Sequence, residues 1–161
     1  MHYFIDGYNF LFRLSKKKLP LEKKRGLLLV TLNEEIGKLG LNATIVFDSK
    51  EKYQDAPTRG HLDALEIIYT TRNESADDYI LKAIEEATHP QNETVVSSDR
   101  ELTGRSKQLG AKILSIEEFI AFIMRKKEKK KKLLSPLRAF KDSEKEIERL
   151  LKIFEERFKD L

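Results

Sequence analysis

The sequence predicts a three-layer α/β domain on a central, mostly parallel sheet of about five strands, with a helical extension at its C-terminus. Three observations predict it. Short apolar, β-branched or aromatic runs alternate with segments of helical periodicity through residue 124. Asp6, Asp48 and Asp99 follow or closely follow three of those runs, and Asp77 lies in the first turn of an expected helix. Beyond residue 124 the alternation stops and the chain becomes basic and helical.

The first element is His2–Ile5, which reads as a strand that ends at Asp6-Gly7. Pro20 suits the first turn of a helix, and Leu21, Leu28, Leu29, Leu32, Ile36 and Leu39 recur at helical spacing up to a stop at Gly40. Ala43–Phe47 is a second strand, ending at Asp48. Residues 49–63 are polar, contain Pro57 and Gly60, and read as a long loop. Leu65–Thr70 is a third strand and Ser75–Thr88 a helix with Ala76, Ile80, Ala83, Ile84 and Ala87 on its apolar face. Thr94–Val96, a short helix near Arg100–Leu109, the strand Lys112–Leu114 and a helix from Ile116 to Met124 complete the body. The run 125–132 either extends that helix as a solvated stretch or forms a linker. A last helix carries Ile147, Leu150, Leu151, Phe154 and Phe158 on one face, with Ser143 and Glu146 spaced as a capping box. The expected division is therefore a domain over 1–124 and a basic linker with an amphipathic helix over 125–161.

Composition narrows the classes. Cysteine is absent from the 161 residues, which excludes disulfides and thiolate metal sites. No apolar run approaches the roughly 20 residues needed to cross a bilayer, and the N-terminus enters strand-like sequence without a signal-peptide pattern. A cytoplasmic protein that does not engage membranes is expected. The net charge of +4 is uneven: residues 125–161 hold 14 Lys/Arg against 8 Asp/Glu, leaving 17 against 19 for residues 1–124. A basic tail on a slightly acidic body points to a polyanionic partner, foremost a nucleic acid.

Open α/β sheets place their sites at the carboxyl ends of the strands. Carboxylates converging there repel one another unless a cation holds them. Each acid also has a plain structural role. Asp6 suits a βα turn, where Gly7 allows a sharp bend; Asn9 in the same stretch orients Asp6 or meets a phosphate. Asp48 either caps the segment after its strand or forms an outer part of the site. Asp77 and Asp78 are about 100° apart on a helix. Asp78 completes an N-cap pairing with Ser75, whereas Asp77 borders the Ile80–Ile84 stripe and faces the sheet. Glu74, three residues before Asp77, is either a further ligand or a residue favoured near a helix N-terminus. Asp99 caps the helix that follows unless Ser98, which has capping-box spacing to Glu101, takes that role and leaves Asp99 free to bind a metal. Ser97 and Ser98 are also candidates for phosphate contacts. His2, His61 and His89 show no ligand spacing and are expected at the surface or in loops.

An all-oxygen ligand set suits Mg²⁺ or Mn²⁺. The chain has no phosphate-cradling GxxxxGK[ST] loop and no GxSxG elbow, so metal-assisted phosphodiester hydrolysis is the simplest reaction class. Basic residues offer a substrate track: Lys16, Lys17 and Lys18 after the first strand, a run that also reads as a solvated loop, Arg100 beside Asp99, and Lys129, Lys130, Lys131 and Lys132 in the tail. Tyr8 and Phe10 flank Asn9, and one could stack on a base, although their alternating spacing favours burial. A phosphoacceptor signalling domain would also gather acids at strand ends, but it needs an acidic pair after strand one, and Asp6-Gly7 lacks it.

The segments IDGYN, IVFD, ESADDYI and VVSSDRE, in that order, resemble the YacP-like branch of the NYN domains, relatives of the PIN-domain nucleases. The resemblance covers about residues 1–124. It implies a PIN-like fold and a metal-dependent endoribonuclease, with Asp6, Asp77 and Asp99 as catalytic ligands and Asp48 as a fourth acid. Some bacterial members of the family act on messenger RNA in association with the ribosome, which makes RNA, including mRNA on the ribosome, the implied partner. A non-catalytic RNA- or ribosome-binding module on the same fold is the alternative.

Overall fold

The computed structural model describes residues 1–14, 19–49 and 58–134, with backbone alone for 132–134. Lys16–Lys18, most of the 49–63 loop and the whole expected last helix lie outside the described residues.

Six strands form one sheet: β1 (His2–Asp6), β2 (Asn42–Phe47), β3 (Thr58–His61), β4 (Leu65–Tyr69), β5 (Glu93–Val96) and β6 (Lys112–Leu114), in the order β3-β4-β2-β1-β5-β6. All pairs are parallel except β3–β4. The sequence reading absorbed β3 into its loop because TRGH carries no apolar pattern; all four residues are exposed on the sheet's edge. The central strands are buried on both faces, as parallel strands covered by helices must be.

The helices form the two outer layers. α1 (Gly7–Leu14), α2 (Leu21–Leu39) and α5 (Ile116–Leu134) cover one face. There Tyr3, Ile5, Ile45 and Phe47 pack on Leu28, Leu32, Ile36, Phe119 and Ile123. α3 (Ala76–Glu85) and α4 (Arg100–Gln108) cover the other, where Phe4, Val46, Ile68 and Val95 meet Ala76, Ile80, Ile84 and Leu102. Each fully buried aliphatic or aromatic side chain contributes about 1.5–3 kcal/mol of transfer free energy. Gly40 ends α2 at φ 61°, a conformation that favours glycine, and its backbone N–H reaches back to Gly37 O.

Two placements depart from expectation. A helix, α1, begins directly after Asp6, where the sequence reading found none before Pro20. Asp6 Oδ1 accepts from Asn9 N at 3.4 Å, in the manner of an N-cap, and Phe10, Leu11 and Leu14 form the buried stripe. That cap and stripe were the available signal. The run 125–132 is helical, a direct continuation of α5. Its basic half lies along the last turns of α2: Lys127 Nζ is 2.5 Å from the buried Glu35 carboxylate, and Lys130 Nζ donates to Lys38 O. α2 leads there into the start of β2. The basic stretch therefore sits toward the amino edge of the sheet, away from the strand ends that carry the aspartates. No helix among the described residues is long and apolar enough to cross a membrane.

Candidate active site

The chain builds β2 and β4 on one side of β1, then crosses over to place β5 on the other. The point where the order reverses lies between β1 and β5, and a crevice opens there at the carboxyl edge. Asp6 ends β1 and Ser97-Ser98-Asp99 follows β5. Asp48 follows β2 on the same edge, and α3 delivers Asp77 in its first turn.

Three of the four aspartates cap helices. Asp6 takes Asn9 N of α1, Asp48 Oδ1 takes Ala76 N of α3 at 2.6 Å, and Asp99 Oδ1 takes Leu102 N of α4 at 2.9 Å. The structural role and the convergence thus coexist. Three helix N-termini point at one crevice, and their partial positive charge offsets part of the repulsion among the acids. Among the described residues, Asp48 and Asp99 each keep one oxygen without a hydrogen bond, and Asp77 makes none at all.

Asp6 is 9% exposed and the most firmly held. Ser97 Oγ donates to its Oδ2 at 3.0 Å and accepts Asp99 N at 3.1 Å, joining two of the acids through one hydroxyl. Burial pushes the Asp6 carboxyl up; the Ser97 and Asn9 hydrogen bonds pull it back, and the charges of Asp48 and Asp99 push it up again. Asp77 is pushed up to about 6 by burial and then by Asp6, Asp99, Asp48 and Asp78. Asp78, one residue on, falls below the ordinary range because Ser75 hydrogen-bonds it in a full capping box. The difference predicted from helical phase is realised.

Other placements correct the sequence reading. Asp99, rather than Ser98, caps α4. Asn9 Oδ1 takes Ser98 N at 2.8 Å and Ser97 takes Asp99 N, so the helix starts one residue later than the capping-box spacing implied. Ser97 is 2% exposed with its hydroxyl committed to both neighbours, which removes it as a phosphate contact. Asn9 Oδ1 ties the α1 turn to the β5 loop. The charge of Glu74 is felt at Tyr79, and no contact among the described residues brings Glu74 to Asp77. Ser98 and Arg100 are exposed at the same edge. Lys129, Lys130 and Lys131 are exposed on α5, on the far side of the molecule, and Lys132 is described only in its backbone. His61 and His89 are exposed, as expected, whereas His2 lies in β1, half-buried between Glu93 and Thr44. Tyr8 and Phe10 sit on a helix, where alternation has no meaning: Phe10 is buried and Tyr8 stacks on Phe12.

Among the described residues no three His, Asp or Glu side chains converge tightly enough to hold one ion as they stand. The donor chemistry nevertheless fits a hard divalent cation: every group is a carboxylate, and oxygens of Asp48, Asp77 and Asp99 remain uncommitted among the described residues.

Fold and acid-lined crevice together define a PIN-like α/β domain. The YacP-like NYN domain model matches residues 3–161, and the chain belongs to that family, a nuclease-type class associated with RNA. The match runs on through the basic tail, past residue 124 where the recognisable motifs end. The structure is similar to a crystal structure of Rae1 (YacP) from Bacillus subtilis at 20% identity and TM-score 0.61, covering 99% of this chain and 91% of that one. A point-mutant form of the same protein is similar at 22% identity and TM-score 0.63, covering 80% of this chain and 77% of that one. No curated protein matches the sequence.

Proposed function

We propose that this protein is a Mg²⁺- or Mn²⁺-dependent endoribonuclease that hydrolyses RNA phosphodiester bonds. The observation that carries the proposal is the gathering of Asp6, Asp48 and Asp99 at neighbouring strand ends with Asp77 in the first turn of α3; burial and the charges of the other three push the Asp77 carboxyl up to about 6. Four carboxylates gathered with no basic partner among the described residues cost stability, and a divalent cation relieves that cost. Mg²⁺ retains several waters and is usually held by one or two carboxylates plus substrate phosphates, so the open arrangement of these acids suits it. Asp6, Asp77 and Asp99 would hold the ion, with Asp48 as an outer member.

A bound divalent cation supplies a water of lowered pKa and charge stabilisation for the phosphoryl oxygens. The protein's own groups set the stage. Ser97 fixes Asp6 and Asp99 relative to one another, Asn9 fixes the two loops, and Asp48 anchors α3 so that Asp77 faces the crevice. Arg100, exposed beside Asp99, would meet a substrate phosphate. The family resemblance supports mRNA on the ribosome as the substrate and the cytoplasm as the compartment, and the exposed Lys129–Lys131 stretch supports a salt-sensitive contact with a polyanion.

Cleavage of a labelled single-stranded RNA in Mn²⁺ tests this directly. Asp6→Asn and Asp77→Asn should each lose about 100-fold or more in rate, since several kcal/mol of transition-state stabilisation is at stake. Their circular dichroism should match wild type. Cleavage by both variants at the wild-type rate would overturn the proposal, and metal-independent RNA binding without turnover would favour a non-catalytic RNA-binding module.

A further inference from the structure

At the same carboxyl edge, on the opposite face of the sheet, a second cluster stands beside the acids. Phe47 and Asp48 are consecutive at the end of β2, so their side chains take opposite faces, and Asp6 lies within two residues of Tyr8. The Phe47 ring stacks on Tyr69 at 5.6 Å and meets Tyr8 edge-on at 5.0 Å. Tyr8 in turn stacks on Phe12 at 5.9 Å, one helical turn along α1. Arg25 of α2 closes the group: its guanidinium lies over the Tyr69 ring at 5.3 Å and donates to the Tyr8 hydroxyl at 3.3 Å.

The needs of the core account for Phe47, which is fully buried, and for the inner faces of Tyr8 and Tyr69. They do not account for Phe12, which is 64% exposed and is one of three large apolar residues so exposed among the described residues. Nor do they call for a guanidinium at the rim. An open aromatic face beside a fixed cation is what a base and its phosphate require: stacking on the ring and charge for the backbone.

We propose that Phe12, Tyr8 and Arg25 form a binding shelf for single-stranded RNA, which stacks a base on Phe12 and pairs a phosphate with Arg25 while the neighbouring phosphodiester enters the acidic crevice. The proposal rests on the nuclease reading and extends it by naming which side of the crevice the chain enters from. An acidic site repels a polyanion, and the shelf supplies the attraction that holds the substrate across the strand ends. Stacking of this kind tolerates any base, so the shelf confers preference for unpaired RNA without a sequence code.

The test uses the full chain and a fluorescein-labelled oligouridine of about ten nucleotides. Anisotropy in EDTA reads binding, and cleavage in Mn²⁺ reads KM and kcat separately. Phe12→Ala should weaken binding about tenfold and raise KM with little change in kcat; Phe12→Trp should restore both. Arg25→Gln should weaken binding and lower the slope of log K against log salt by about one. Phe12 is exposed, so its variant should fold normally even if the Arg25 variant does not. Binding by Phe12→Ala within twofold of wild type would overturn the shelf and leave the nuclease intact. Wild-type binding without any cleavage would remove the nuclease reading, and the shelf would then stand or fall on the same Phe12→Ala binding ratio. A wild type that neither binds nor cleaves the oligonucleotide overturns both.

Discussion

The two ends of the sheet both carry carboxylates, and they treat them differently. At the amino edge Glu93 faces the His2 ring at 3.0 Å, the ring's other nitrogen meets Thr44, and Thr44 donates to Glu66, which also pairs with Arg59. Each acid there has a basic side chain beside it. At the carboxyl edge, among the described residues, Asp6, Asp48 and Asp99 have only N–H and O–H donors, and Asp77 has none. The contrast teaches where to look for function. Acids that hydrogen-bond to basic side chains hold strands in register, whereas acids left with one another and the ends of helices await something from solution.

The sharpest way to break the comparison is to disturb the packing that fixes the carboxyl edge. A Cβ at Gly7 would lie 2.5 Å from the Phe47 ring and 2.8 Å from Val46 O, so no methyl group fits without movement. Gly7→Ala should destabilise by about 3 kcal/mol in urea denaturation and reduce cleavage as well, because Asp6 adjoins the shift. Next comes Ser97→Ala, which leaves Asp6 without its buried donor and should cost about 1–2 kcal/mol. Because that hydrogen bond favours the ionised carboxylate, its loss should move the acid limb of the pH–cleavage profile to higher pH. An unmoved limb would detach Asp6 from the titration.

Asp77→Asn should have a smaller effect on stability, and of opposite sign. A carboxyl whose folded pKa is about 6 and whose unfolded pKa is near the model-peptide 3.9 binds its proton more tightly when folded. Its ionisation therefore subtracts stability fully above pH 6, and the penalty vanishes as pH falls below about 4. In EDTA at pH 7.5 the Asn variant should be more stable by about 1 kcal/mol, after discounting for the group's exposure, and the advantage should fade across that window in thermal melts. Added Mn²⁺ should stabilise wild type more than the variant. The smallest effect is expected at the other end: Glu93→Gln should cost at most about 1 kcal/mol and leave cleavage within about twofold. A large loss of activity there would dissolve the contrast between the edges.

Much of this was legible in the chain. Five of the six strands announced themselves as apolar runs, β3 being the exception, and helical phase alone separated Asp77 from Asp78. What escaped was set by contacts between distant segments. Ser98 looked like the cap of α4 because Glu101 follows at the right spacing; only Asn9, 89 positions away, reveals that its N–H is already taken. Ser97 read as a phosphate contact because nothing local shows that Asp6 and Asp99 share its hydroxyl. α1 was missed because an aspartate that ends a strand also starts the helix, with no linker between them. The basic stretch was recognised as such, but its place at the amino edge depends on Lys127 finding Glu35.

The flanks of the sheet carry a further consequence. β3 and β6 are four and three residues long, and they bear Arg59 and Lys112, both exposed. Short, cationic border strands discourage another chain from adding itself alongside, the usual route to runaway β-assembly. Such a molecule can be concentrated without templating its neighbours. Among the described residues, the tips of the strands and the outer helices are the directions left for a partner, and there its carboxylates and its lysines already face.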